Sequence, residues 1–249
     1  MVVLKLPEEI SRLRTGNRIV AEILAELKAR VKPGVTTREL NRLAEELSRK
    51  NRVTPAFKGY RGYPFALCTS VNGEVVHGMP SDRPLSAGNI LSLDFGVIFK
   101  GYYGDAAITV PVGNVSEAAM RLMRVTEQSL YEGIEKALAG NRLGDISAAV
   151  QGCVEKAGFS VVRDFVGHGI GKSMHEDPQI PNYGVAGRGI ELRPGMVLAI
   201  EPMVNEGGYR VKVLSDGWTV VTEDGSLSAH FEHSVAITEN GPEILSRQQ

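Results

Sequence analysis

The sequence is poor in cysteine. Cys68 and Cys153 are the only two in 249 residues, and neither belongs to a CxxC pair. This argues against a disulfide framework or a thiolate zinc site and fits a reduced, cytoplasmic setting. Charge of one sign is equally scarce. The net charge is −1 and the pI about 6.5, so the chain has no electrostatic footprint for nucleic acid or an anionic membrane. No run approaches the roughly 18–20 apolar residues of a membrane span. The opening MVVLKLPEEISRLRTG is charged early and lacks a signal-peptide core. Several motifs fail on inspection. Gly171-Lys172-Ser173 resembles the end of a P-loop, but Val166 stands where the leading Gly belongs. His175-Glu176-Asp177-Pro178-Gln179 opens like HExxH but lacks the second His, and Pro178 disrupts the helix. The glycines around His168 lack dinucleotide-fingerprint spacing, and there is no GxSxG elbow.

What remains is an ordinary globular composition, 43% hydrophobic and 23% charged, in a chain of a length for one large or two small domains. With no linker-like segment, a single domain over residues 1–249 is expected. Helical periodicity runs from Pro7 to Arg30, with apolar residues at Ile10, Leu13, Ile19, Ile23, Leu24 and Leu27. Thr36 and Glu39 form a capping box ahead of a second helix through Leu47. Two more helices are expected over Ser116 to Leu138 and Leu143 to Ala157. Expected strands cover Leu67 to Val76, with a bulge at Asn72-Gly73, then Ser160 to Phe165, Met196 to Val204, Tyr209 to Leu214, Thr219 to Thr222 and Ala229 to Thr238.

The most informative stretch is Gly88 to Ala107, GNILSLDFGVIFKGYYGDAA. It reads as a hairpin with one Asp on each strand, Asp94 and Asp105. A turn at Phe99-Lys100 sets them directly opposite, and a turn at Lys100-Gly101 makes them diagonal neighbours. Either way both carboxylates share one face, roughly 4.5–8 Å apart. On a mostly buried sheet they repel, and a divalent cation would offset them.

The chain also repeats itself. Leu85-Ser-Ala-Gly-Asn-Ile-Leu-Ser-Leu-Asp94 matches Leu192-Arg-Pro-Gly-Met-Val-Leu-Ala-Ile-Glu201 at an offset of 107, and Pro33 to Leu40 matches Ala139 to Ile146 at 106. Two matches at nearly one offset indicate a duplicated helix-helix-strand unit, roughly 1–110 and 115–240, that makes Asp94 and Glu201 counterparts. His168 in Val-Gly-His-Gly-Ile-Gly and Glu232 in His230-Phe-Glu-His-Ser bring the set to four carboxylates and one imidazole beside apolar strands. Singly, each is explained by an ion pair or a local hydrogen bond. Together, four buried carboxylates with few buried cations need positive charge. Two divalent ions supply it, and oxygen ligands with one imidazole suit Mn, Fe(II), Co or Zn. Carboxylates can bridge two such ions about 3.5–4 Å apart and hold a shared water as hydroxide.

These motifs resemble the bacterial, type I methionine aminopeptidases of the M24 metallopeptidases. The resemblance rests on Val75-Val-His-Gly-Met-Pro80, Val166-Gly-His-Gly-Ile-Gly171, His175-Glu-Asp-Pro178, Ala199-Ile-Glu-Pro-Met203 and His230-Phe-Glu-His233, and covers nearly the whole chain. It implies an α+β pita-bread fold, two pseudo-symmetric halves around a central dinuclear metal site. It implies Asp94, Asp105, His168, Glu201 and Glu232 as ligands, with Asp105 and Glu232 bridging. His175 would bond the scissile carbonyl and its oxyanion, His77 the scissile nitrogen, and Glu201 would accept a proton from the attacking water. Phe57, Tyr60, Tyr63, Cys68, Met174 and Trp218 would form the methionine pocket. For these six, and for the two histidines, plain packing or local bonding is the competing explanation.

The activity implied is removal of N-terminal methionine, by a metal-bridging hydroxide, from peptides and nascent chains at the ribosome whose second residue is small. Val2 is small enough for the enzyme to process itself. The resemblance further implies a cytoplasmic monomer. An X-Pro hydrolase on the same fold usually carries an extra N-terminal domain, whereas here only about ninety residues precede Asp94. A non-catalytic relative would have lost ligands. The lack of a long N-terminal extension, and of an insert between His175 and Glu201, favours the bacterial subtype.

Overall fold

A computed structural model describes residues 2–247. Met1, the target of the self-processing idea, lies outside the described residues. The first half opens with α1 (Pro7–Arg30) and α2 (Thr37–Lys50), then β1 (Thr54–Pro55), β2 (Leu67–Val71), β3 (Glu74–Val76), β4 (Ile90–Phe99) and β5 (Tyr102–Pro111). The second has α3 (Glu117–Glu135), α4 (Leu143–Lys156), β6 (Ser160–Val161), β7 (Gly167–Gly169), β8 (Glu176–Ile180), β9 (Val197–Ile200) and β10 (Met203–Asn205). It ends with β11 (Val211–Val213), β12 (Val220–Thr222), β13 (Ser228–His230), β14 (Glu232–Thr238) and β15 (Gly241–Ile244).

The main sheet is antiparallel and curled, in the order β1-β4-β5-β14-β9-β7-β8, with β2 also on β4 and β15 also on β14. The strand β14 joins the two halves. Period-2 alternation sorts their faces. Leu91, Leu93, Phe95 and Val97 of β4 pack with Ile19, Ile23, Leu27 and Leu40 of α1 and α2. In the second half, Leu198, Ile200, Val235 and Ile237 pack with Leu122, Leu130 and Val150 of α3 and α4. Ser92, Asp94, Asp105 and Thr109 are left to the opposite face.

The halves are built alike. In each, the first residue of the capping motif donates its N–H to an acidic side chain three residues on, Thr36 to Glu39 and Arg142 to Asp145, both at 2.7 Å. Each preceding turn has a glycine at positive φ, Gly34 at 90° and Gly140 at 87°, whose N–H reaches the carbonyl of Leu85 or Leu192. Thr36 bridges Pro84, and Arg142 bridges Glu191. Side chains on the helices hold the strands beneath them. Asn17, fully buried in α1, accepts from the Asp105 N–H at 3.1 Å, and orphaning that N–H would cost about 1–3 kcal/mol. Asn41 of α2 accepts from the Ala66 and Leu67 N–H groups at the start of β2.

The hairpin takes the diagonal register: Asp94 faces Ala107 and Asp105 faces Gly96. Lys100 and Gly101 both have positive φ, 48° and 81°, the mirror-image turn whose twist suits a hairpin. Three expected strands divide. Leu67 to Val76 bends at Asn72, φ 57°, so that β2 pairs with β4 while β3 pairs with β12 in a separate sheet. Met196 to Val204 breaks at Glu201-Pro202, since Pro202 has no N–H for a ladder. Ala229 to Thr238 breaks at Phe231, with β13 joining β10 in a third sheet and β14 remaining in the main one. Cys68 and Cys153 are free thiols.

Candidate metal centre and substrate cavity

Five neighbouring strands each bring one polar side chain to the same place. In sheet order these are Asp94 on β4, Asp105 on β5, Glu232 at the start of β14, Glu201 just after β9 and His168 on β7. Asp94 and Glu232 both pair with Ala107, one from each side. The methyl group of Ala107 is therefore all that stands between two carboxylates in that row. The β7 strand approaches its neighbours closely because Gly167 and Gly169 flank His168. A Cβ on Gly167 would strike the Ala199 carbonyl, and one on Gly169 the Asp177 carbonyl.

Donor atoms of Asp105, His168 and Glu232 lie within 4.8 Å of one another. Glu201 Oε1 is 3.5 Å from His168 Nε2. His168 Nδ1 is 3.0 Å from the Gly169 carbonyl, which can only accept, so Nδ1 carries the hydrogen. Nε2 thus presents its lone pair to the carboxylates, as a ligating imidazole must. Oδ1 of both Asp94 and Asp105 is buried without a hydrogen-bond partner among the described residues.

Burial raises the carboxyls of Asp94, Asp105 and Glu232 well above the ordinary range, with the neighbouring acids raising them further. Burial also pushes Glu201 up to about 8, and holds His168 down at about 4. The one Lys or Arg lining the cavity among the described residues is Arg61. Orphaned oxygens, mutual repulsion and a neutral imidazole fit divalent metal. The same donors without metal would hold protons instead.

This cluster forms part of a cavity of about 530 Å³, which Phe57, Tyr60, Tyr63, Cys68, His77, Met174, His175 and Trp218 also line. Every residue assigned to the site from sequence therefore faces one space. Tyr63 satisfies its phenol on the carbonyls of Leu67 and Gly78, at 3.2 and 3.0 Å, and presents its ring to Trp218. Asp216 caps the turn that carries Trp218, accepting from the N–H groups of Trp218 and Thr219. His175 shares a 2.7 Å hydrogen bond with the Tyr60 hydroxyl through Nδ1, and its ring centroid is 4.4 Å from that of His168. His77 has φ 59° and stands edge-on to Phe165 and Trp218. Burial lowers His77 to about 4 and lowers His175 as well.

Sequence reasoning gave no role to His230. Its Nε2 is buried, lacks a hydrogen-bond partner among the described residues and lies 3.4 Å from Glu201 Oε2. The two oxygens of Glu201 are thus bracketed by two imidazoles. Period-2 spacing was the available signal, since His230 and Glu232 are two apart. Arg61 and Phe165 also line the cavity unforeseen.

The model of "Metallopeptidase family M24" matches residues 11–239. A methionine aminopeptidase of Clostridium perfringens is 57% identical over 246 residues, 99% of each chain. Methionine aminopeptidase 1 of Bacillus subtilis is 53% identical over 247 residues, covering 99% of this chain and 100% of the relative. The crystal structure of methionine aminopeptidase from Thermotoga maritima, 51% identical, superposes with a TM-score of 0.98 over the full length of both chains. A prolidase from Pyrococcus horikoshii shares the fold alone, with a TM-score of 0.81 at 21% identity, matching 65% of its own chain. The family match, spanning both helix-helix-strand halves and all five clustered donors, makes this chain a member of metallopeptidase family M24.

Proposed function

We propose that this chain removes the N-terminal methionine from peptides and nascent proteins in a metal-dependent hydrolysis. The observation that carries the reading is the union, in one cavity, of the four-carboxylate, one-imidazole cluster with an aromatic and thioether wall. Full-length relatives with the aminopeptidase name support it.

Asp94, Asp105, His168, Glu201 and Glu232 would hold two divalent ions, drawn from Mn, Fe(II), Co and Zn. When bound, the ions supply Lewis acidity that polarises the first peptide carbonyl, anchors the free α-amino group and acidifies water. The chain's own groups do the rest. Phe57, Tyr60, Tyr63, Cys68, Met174 and Trp218 receive the unbranched thioether side chain. Glu201 takes a proton from the water that attacks the carbonyl carbon. His175 donates from Nε2 to the oxygen that gains charge, while the Tyr60 hydroxyl donates to its Nδ1. His77 contacts the nitrogen that leaves as an amine once the C–N bond breaks. A small second residue keeps the chain narrow enough to enter. The protein would act as one catalytic domain, a monomer, in the cytoplasm and at the ribosome. No helix among the described residues is long and apolar enough to cross a membrane.

The test is to strip the protein of metal, reload it separately with Mn, Fe(II), Co and Zn, measure occupancy, and follow Met release from Met-Ala-Ser. Release with at least one metal is expected, with no cleavage of Ala-Pro-Ala. Failure with every loaded metal, or preference for Ala-Pro-Ala, would overturn the assignment.

A further inference from the structure

The segment that carries Met174 and His175 lies between two cavities. On its inner side is the substrate cavity. On its outer side is a second space of about 350 Å³, with Lys5, Tyr102, Lys172 and Ser173 in its wall. Met174 packs on the inner side, but an open groove gives the segment little packing support from behind, so polar ties contribute to holding it.

Lys5, in the extended chain before α1, supplies the principal tie. It is 7% exposed. Its ammonium donates to Glu176 Oε2 at 2.7 Å and to the Val3 carbonyl at 3.0 Å. The other oxygen of Glu176 accepts from the Ser173 N–H at 3.1 Å, closing the turn around Met174 and His175. The backbone of Lys5 is itself fixed, its N–H donating to the Gly195 carbonyl at 2.7 Å. Gly171 makes room for the pair, since a Cβ there would lie 2.6 Å from both Glu176 Oε1 and Lys5 Cε. Removing the ammonium would leave a largely buried carboxylate uncompensated, and the turn would have to open to hydrate it.

We propose that Lys5 is a positioning residue for the reaction: through Glu176 it holds the 173–176 turn, and with it the His175 imidazole, in working geometry. This rests on the aminopeptidase reading and adds to it a residue outside the substrate cavity.

The test uses the full chain with Lys5→Met, which keeps the aliphatic stem. Metal occupancy should match the unsubstituted protein, and kcat for Met-Ala-Ser should fall about 10–100-fold with KM little changed. In the metal-free protein the ring ¹⁵N resonances of His175 should shift, while those of the distant His233 stay put. Glu176→Gln keeps an acceptor for the Ser173 N–H but loses the charge, and should act in the same direction. Folded variants with normal kcat and unshifted His175 resonances would overturn the proposal. Unprotected amide exchange at Ser173 in the unsubstituted protein would overturn it whether or not the variants fold. Absence of Met release by the unsubstituted protein would sink the aminopeptidase reading, yet leave the ring-resonance test of the tie intact.

Discussion

Single atoms decide what the histidines can do. His168 donates Nδ1–H to its neighbour's carbonyl and turns its lone pair to the carboxylates, whereas His175 directs Nδ1 to a phenol. The first arrangement leaves Nε2 free to face the carboxylates, and the second leaves the Nε2 side of the ring to the cavity. His175→Ala should lower kcat by about 10²–10³ in steady-state assays if it stabilises the oxyanion, with metal occupancy unchanged. An unaltered kcat would remove it from that role. Residue type and strand context drew attention to Asp94, Asp105, His168, Glu201 and Glu232, whereas His77, His175 and the six pocket residues came only from the family resemblance. Strand parity alone put Asp94 and Asp105 on one face, although it left direct or diagonal pairing open. His230 shares strand parity with Glu232, but parity alone does not single out an imidazole, whose meaning comes from the neighbour its Nε2 meets, here Glu201 across a strand break.

At the level of elements, the helices were the most legible part. Their 3.6-residue stripes and caps matched α1 to within the residues named, Pro7–Arg30. The short strands β7 and β8 were not legible, although β11 and β12 of similar length lie within expected strands. The β8 sequence Glu-Asp-Pro-Gln-Ile has no apolar alternation, and β7 is Gly-His-Gly. They are strands because the glycines admit neighbours so closely, a tertiary fact with no local signature. Gly169→Ala should push β8 from β7 and destabilise the protein by about 1–3 kcal/mol, measurable by urea unfolding. Metal affinity should fall with it, since His168 sits between the two glycines. An unchanged urea midpoint would show that β8 yields without strain. The break at Phe231 was invisible for a related reason, and the one at Glu201-Pro202 was marked only by Pro202. Apolar runs continue through them, and the change of sheet occurs where the strands deliver Glu201 and Glu232.

For the whole molecule, the buried charges make stability depend on pH and metal together. Glu201 binds its proton more tightly folded than unfolded, about 8 against 4.5, and the three other carboxylates are raised too. A raised acid stabilises fully below its unfolded value and loses that contribution as pH rises through the folded one. The five histidines run the other way. Burial lowers all of them, to about 4 for His77, His168 and His233, about 3 for His230, and below the ordinary value for His175. Their contribution grows as pH rises to 6.5 and is then complete. The metal-free protein should therefore lose stability between pH 6.5 and 8, seen as a falling thermal midpoint, and saturating metal should abolish the fall. A midpoint that holds or rises over that interval without metal would contradict the burial of these acids. The duplication was legible at this scale from two matched stretches, and the paired bridges Thr36–Pro84 and Arg142–Glu191 are its counterparts in space.

The place of β14 has a consequence for how the molecule comes into being. It follows all the other long strands in sequence, yet it is the middle strand that links β5 to β9. As synthesis proceeds from the N-terminus, each helix pair can collapse on its own strands while the seam between the halves stays open, two edges awaiting a partner. The strand that closes the seam carries Glu232 at its first position. The last long-range pairing to form thus coincides with the arrival of the last donor. On the proposed assignment, metal capture would report that the whole sheet has zipped shut, and a chain halted before β14 would have neither a continuous sheet nor all five clustered side chains.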